Sequence, residues 1–273
     1  MSISDFQQAL ARLVMSPPFR SSVRGEPDTA LAAFDLSPRE RQRLMALAND
    51  PALNVGTMIH RSFRLSMLAT TLSKTCAALG PQQLKEVVHR YWETYPPQDY
   101  YYEREAFRFG EYLLALLREG RIENEYVEQV LNLELNVLAL KKASANNDSH
   151  SNQDLVRDPA AAYPSLNPLC RVIPFDHEPE TLLTALSQDQ VPEALPRGEY
   201  YLLLDRSTSK QIQIRQVDPR LGAVLHACDG QASAARLCER SGLALEDLMA
   251  LAEAGYLVVH DQPQSPAAKP WII

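Results

Sequence analysis

The 273-residue chain is 45% hydrophobic and 22% charged, which supports a packed core and excludes both global disorder and a fibrous repeat. Its length fits two domains of roughly 100–150 residues each. A net charge of −7 and a pI near 5.4 argue against nonspecific nucleic-acid binding, which needs clustered Lys and Arg, and no apolar run approaches the roughly 20 residues that span a bilayer.

In chain order, Ser4 to Val14 places Phe6, Leu10 and Leu13 at helical spacing, interleaved with Asp5, Gln7, Gln8 and Arg12. This predicts an amphipathic helix, not a signal peptide, and Pro17-Pro18 is expected to stop it. A second helix is expected from about Asp28. A third is announced by Ser37-Pro38-Arg39-Glu40, with Ser37 as cap, Pro38 in the first turn and Glu40 closing a capping box. Residues 1–50 read as a helical lead-in.

From Met58 to Leu79 the apolar residues recur on one face, while Arg61 and Arg64 point toward another. Gly80-Pro81 ends this helix and opens the next, which runs to Tyr95 before Pro96-Pro97. Glu105 to Leu117 and Tyr126 to Leu140 repeat the pattern, so residues 51–140 are expected to form an all-helical domain. Residues 141–168 turn polar and proline-rich and read as a linker.

Beyond it the period changes. Leu169 to Phe175 reads as a strand and Pro179 to Leu186 as a helix. Tyr200 to Leu204 and Gln211 to Val217 read as a β-hairpin. Three short helices follow, within 221–228, 232–240 and 245–254, and Tyr256 to Val259 returns as a strand. The expected class is α+β: a helical domain followed by a small winged-helix-like α/β domain over 169–261, with 262–273 as a tail.

Chemistry-bearing motifs for nucleotide binding, serine nucleophiles or zinc proteases are absent from the sequence, and His60, His89, His150, His177, His226 and His260 are never three or four residues apart. Cys76, Cys170, Cys228 and Cys238 show no C-x-x-C spacing, which fits a reduced cytoplasm. No cofactor or metal is expected in this chain. Tyr100, Tyr101 and Tyr102 cannot all face one core; they either seal a helix junction or, with Glu105, contact a partner, and Arg61 and Arg64 are either solvated helix charges or anchors for that partner. The strand Gln211, Ile212, Gln213, Ile214, Arg215 is either an edge kept soluble by its polar residues or a peptide-accepting edge, with Leu248, Met249 and Ala252 of the last helix as side-chain pockets.

The run Arg64-x-x-Met67 through Leu72, Lys74-Thr75 and Leu79-Gly80, then Tyr95-Pro96-Pro97, Tyr101-Tyr102-x-x-Glu105-Ala-x-Arg108-Phe109-x-x-Tyr112 and Leu133-Glu134-Leu135 resembles the helical domain of partner subunits of multinuclear non-heme iron oxidative enzymes, the methanobactin-type partners among them. The stretch Ala30-Leu31-Ala32-x-Phe34-x-Leu36-Ser37-Pro38-x-Glu40 is similar to a small helical module at the front of diverse bacterial proteins, which the shorter partner subunits lack. Residues Asp218-Pro219-x-Leu221-x-x-x-Leu225 and Leu237 to Val259 are similar to the winged-helix peptide-recognition module of ribosomal-peptide biosynthesis.

The resemblance implies an accessory, noncatalytic subunit. Its partner would be an iron-dependent TIM-barrel oxidase, joined as a heterodimer, that carries the iron and modifies cysteine-containing precursor peptides. The subunit's own task would be leader-peptide binding, with no membrane and no nucleic acid involved. Two rivals stand beside this reading. One is a winged-helix DNA-binding regulator, against which Glu246, Asp247 and Glu253 count because the last helix has no Lys or Arg. The other is an enzyme assembled from scattered residues such as His89, Tyr101 and Glu105.

Overall fold

The computed structural model describes residues 3–95, 102–143, 158–207, 209 and 211–265. It is a mixed helix-and-sheet protein that divides into two compact units, Met1–Ala115 and Leu116–Ile273.

The first unit is helical: α1 Ile3–Met15, α2 Pro17–Gly25, α3 Pro27–Ala30, α4 Pro38–Ala48, α5 Ala52–Thr71, α6 Ser73–Thr94 and most of α7 Tyr102–Arg118. Pro17-Pro18 do end α1, but they also open α2, which the sequence reading placed no earlier than Asp28. Ser16 caps α2 by accepting from the Phe19 amide at 3.3 Å, and prolines in a first turn lack only donors that would have no helical acceptor. The expected capping box is present: Ser37 N donates to Glu40 Oε2 at 2.8 Å and Glu40 N to Ser37 Oγ at 3.3 Å. The single helix expected over 58–79 is two, broken at Leu72, whose φ and ψ of −120° and 50° leave the helical region. A further kink sits at Gly80, at φ 69°, directly before Pro81.

Two apolar groups fill this unit. Ala9, Leu13, Phe19, Val23, Leu31, Leu36, Leu44 and Ala48 form one core, so the first fifty residues bury their own apolar faces. Leu68, Leu72, Val87, Val88, Tyr91, Phe109 and Leu113 are buried along α5, α6 and α7.

The second unit holds α8 Tyr126–Lys142, β1 Tyr163–Leu166, β2 Cys170–His177, α9 Pro179–Ser187, β3 Arg197–Asp205, β4 Gln213–Val217, α10 Pro219–Ala227, α11 Ala234–Ser241, α12 Leu245–Glu253 and β5 Leu257–His260. β2, β3 and β4 form an antiparallel sheet in that order, and β1 pairs antiparallel with β5 in a separate two-stranded ladder. The expected hairpin is therefore found as β3–β4. Tyr163 to Leu166, assigned to the linker from its prolines, is instead a strand: Pro164 is tolerated because its backbone faces away from β5, where its carbonyl accepts from Gly230 N at 3.0 Å and no ladder donor is needed.

Alternation divides the three-stranded sheet into two faces. Cys170, Val172 and Leu203 join the core made with Val224, Leu225, Leu237, Leu248 and Leu257. On the opposite face Ile173, Phe175, Leu202 and Leu204 are equally buried, and α8 packs against β2. Gly222 lets α10 approach β3 closely, since a Cβ there would lie 2.3 Å from the Tyr201 ring.

α8 was expected to close the helical domain, yet it belongs with the sheet. The register of β2 shifts between Phe175 and His177. Such a bulge takes a backbone donor out of the ladder, and the side chain of Gln129 meets it: Gln129 Oε1 accepts from Asp176 N at 2.9 Å, while its Nε2 lies 2.9 Å from His177 Nδ1. Arg206 adds a second tie by donating to Ala143 O at 2.6 Å and to the Leu140 carbonyl. We expect Gln129→Leu to cost about 1–3 kcal/mol, because it strands a buried amide and an imidazole nitrogen. Urea unfolding measures it; a variant as stable as the parent would mean that α8 is held by apolar packing alone.

Candidate functional site

The outer edge of the sheet is β4. Its residues Gln213, Ile214, Arg215 and Gln216 are exposed and Val217 is half-buried, although each lies opposite a β3 residue: Gln213 opposite Asp205, Ile214 opposite Leu204, Arg215 opposite Leu203. Ile214 is 48% exposed while Leu204 beside it is fully buried, so the cover over that face ends between the two strands. The strand starts at Gln213, two residues later than expected. Ser209 takes up the preceding backbone, donating from Oγ to Gln211 O at 2.5 Å and accepting from Gln211 N at 3.2 Å, which leaves Gln211 and Ile212 outside the ladder.

The pockets expected from α12 need correction. Leu248 is 0% and Ala252 2% exposed, both within the core that also holds Leu237 and Leu257, because they share the inward face of a helix packed on α11 and β5. Met249 is half-buried and remains reachable. Tyr256, which the sequence reading did not single out, touches the edge strand: the Arg215 guanidinium lies 4.9 Å from its ring centre.

In the helical unit the expected partner-binding residues separate. Arg64 is only 7% exposed and Glu105 holds it, Nε to Oε1 at 2.8 Å and Nη2 to the same oxygen. The pair is a buried structural tie between α5 and α7, so neither is an exposed anchor. Arg64 also lies 5.4 Å from the Trp92 ring and 6.0 Å from that of Tyr91. Tyr91 is 0% exposed and packs edge-on to Phe109 at 5.1 Å and beside Tyr112 at 5.5 Å. Burial, then the Glu105 carboxylate, pushes its phenol up from the usual range. His60 is shifted down, first by burial and then by Arg64. Arg61 alone of the two arginines is half-buried without an acid partner among the described residues, its guanidinium 5.6 Å from Trp92. Tyr100 and Tyr101 lie outside the described residues. Tyr102 begins α7, and its side chain is likewise outside them.

His89 is exposed and sits 3.7 Å from Glu93, and Glu105 is committed to Arg64, so the scattered-residue enzyme site is not assembled by these two. Burial pushes the Cys170 thiol up to about 12, helped by the Asp205 carboxylate, and the Cys228 thiol up to about 12 likewise, which keeps both protonated and poor as nucleophiles. Among the described residues no three His, Cys, Asp or Glu side chains gather as metal ligands, and no helix is long and apolar enough to cross a membrane.

No protein-family model matches the chain, and no curated protein matches it either.

Removing one partner of the Arg64–Glu105 pair leaves a buried charge alone. We expect Glu105→Gln to lower stability by about 3 kcal/mol and Arg64→Met combined with Glu105→Gln to recover part of that loss. A double-mutant cycle by denaturant titration gives the coupling; a coupling near zero would show that solvent already screens the pair.

Proposed function

We propose that the chain is a noncatalytic partner subunit that binds an iron-dependent TIM-barrel oxidase through its helical unit and presents a ribosomally made precursor peptide through its sheet-containing unit. The peptide would be modified at cysteine by the partner, which carries the iron. The observation that supports this reading most is the β4 edge: five strand residues paired on one side with β3, four of them exposed, and not covered by another strand among the described residues.

An edge of this kind offers backbone donors and acceptors to an extended segment, so a peptide gains main-chain hydrogen bonds at once. Side-chain selection would come from what flanks the edge. Ile214 on one face offers an apolar contact, and Arg215 over Tyr256 offers a cationic and aromatic one on the other. The three short helices after the hairpin, with α10 seated on β3 through Gly222, agree with a winged-helix-like module of the peptide-recognition kind. Holding the peptide beside the oxidase raises its effective concentration and fixes its orientation, which is catalysis by proximity without a cofactor in this subunit.

Adjacent residues in a strand turn their backbone groups to opposite sides, so of Gln213 and Ile214 one donates toward β3 and the other outward. Gln213→Pro and Ile214→Pro should therefore behave oppositely: one lowers thermal stability, the other folds normally and loses peptide affinity. Calorimetry and fluorescence anisotropy with the leader segment of the peptide encoded beside the oxidase read both. Two folded variants with undiminished affinity would remove β4 as the peptide site.

A further inference from the structure

A groove of about 400 Å³ opens on the first unit, lined among others by Arg20, Asn54, Met58, Arg61 and Trp92. Its polar groups are poorly matched. Arg20 is 4% exposed, yet the groups that receive it are neutral: Nη1 donates to Asn54 Oδ1 at 2.8 Å and Nη2 to Thr57 Oγ1 at 3.0 Å. Burial and the nearby charges of Arg24 and Arg61 lower its pKa, the direction expected of a cation held without an anion. Arg61 Nε and Trp92 Nε1 are buried with no hydrogen-bond partner, and among the described residues no carboxylate pairs with Arg20 or Arg61 or lines the groove. Two donors beside the hollow thus lack an acceptor and its two guanidinium groups lack an anion, where a buried unpaired group costs about 1–3 kcal/mol.

Beside the hollow, α5 turns an apolar stripe to solvent. Val55, Met58 and Ile59 are 53%, 62% and 61% exposed. They lie at i, i+3 and i+4, one face over about 6 Å of helix axis. A small anion would satisfy the guanidinium groups and leave this stripe wet, whereas a protein segment can cover both.

We infer that this groove is a docking site for a segment of a partner protein that presents an Asp or Glu carboxylate flanked by apolar side chains. The carboxylate meets the half-buried Arg61 guanidinium at the groove, with the Arg20 cation behind it; the apolar neighbours lie along Val55, Met58 and Ile59. The inference rests on residues of the first unit alone and stands whether or not the partner is an oxidase.

Random 12-residue peptides displayed on phage, selected on the immobilised full chain, supply the probe. The binding assay uses the Trp271→Phe chain, which leaves Trp92 as the single tryptophan of the two present. We expect the enriched peptides to share an acidic residue beside apolar ones, and their synthetic forms to shift Trp92 emission. Binding should weaken about 30-fold in Arg61→Gln and on replacing the peptide's Glu with Gln. Met58→Asp, at a position too exposed to threaten folding, should abolish it by repulsion. Enriched peptides without an acid, binding indifferent to both substitutions, no enrichment at all, or full displacement by acetate would each overturn the inference, as would a self-associating chain whose dimer is lost in Arg61→Gln.

Discussion

One side chain ties α8 to the irregular end of the sheet. Gln129 reaches from α8 to the irregular end of β2, where the register shift leaves the Asp176 amide out of the ladder, and it supplies both the acceptor that amide needs and a donor or acceptor for His177. A neutral amide suits a bulge because it offers both roles from one planar group. With α8 fixed to β2, one face of the sheet is closed, α10 to α12 close the other, and the exposed strand left at the far side is β4. The peptide-binding reading therefore depends on a residue far from the peptide.

Much of the architecture was legible because local chemistry and tertiary role agree. Ser37-Pro38-Arg39-Glu40 caps a helix whatever surrounds it, Gly80-Pro81 bends the chain for steric reasons, and the alternation expected over 211–217 does yield a strand, though only from Gln213. Departures occurred where one residue type serves two ends. Pro17-Pro18 terminate one helix and start another, since the same missing donors are harmless in a first turn. Helix periodicity over 126–140 was read correctly, but a helix carries no sign of which neighbour it will cover. The strand at 163–166 was hidden by Pro164, which a central strand would exclude.

The candidate residues divide along the same line. Type and position suggested that Arg61 and Arg64 were alike; only the fold shows that Glu105 consumes one and leaves the other facing Trp92. Leu248 and Ala252 were placed on the correct helix and on the wrong face. Arg20 could not be found from its neighbours in sequence, because Asn54 and Thr57, which define its surroundings, are more than thirty residues away. Positions whose meaning is set by a distant contact are invisible to periodicity. Those set by a cap or a turn are not.

The β1–β5 ladder has a mechanical consequence. Tyr163 pairs with His260 and Leu166 with Leu257, so the chain enters β1 and leaves β5 at the same end of the ladder. A pull on the segments flanking those two residues loads the hydrogen bonds one after another, opening the pair like a zipper rather than shearing all of it together. The three-stranded sheet shares no ladder with this pair. Force transmitted through the residues after His260 would thus be spent peeling a four-residue strand, with β4 and its register against β3 left intact.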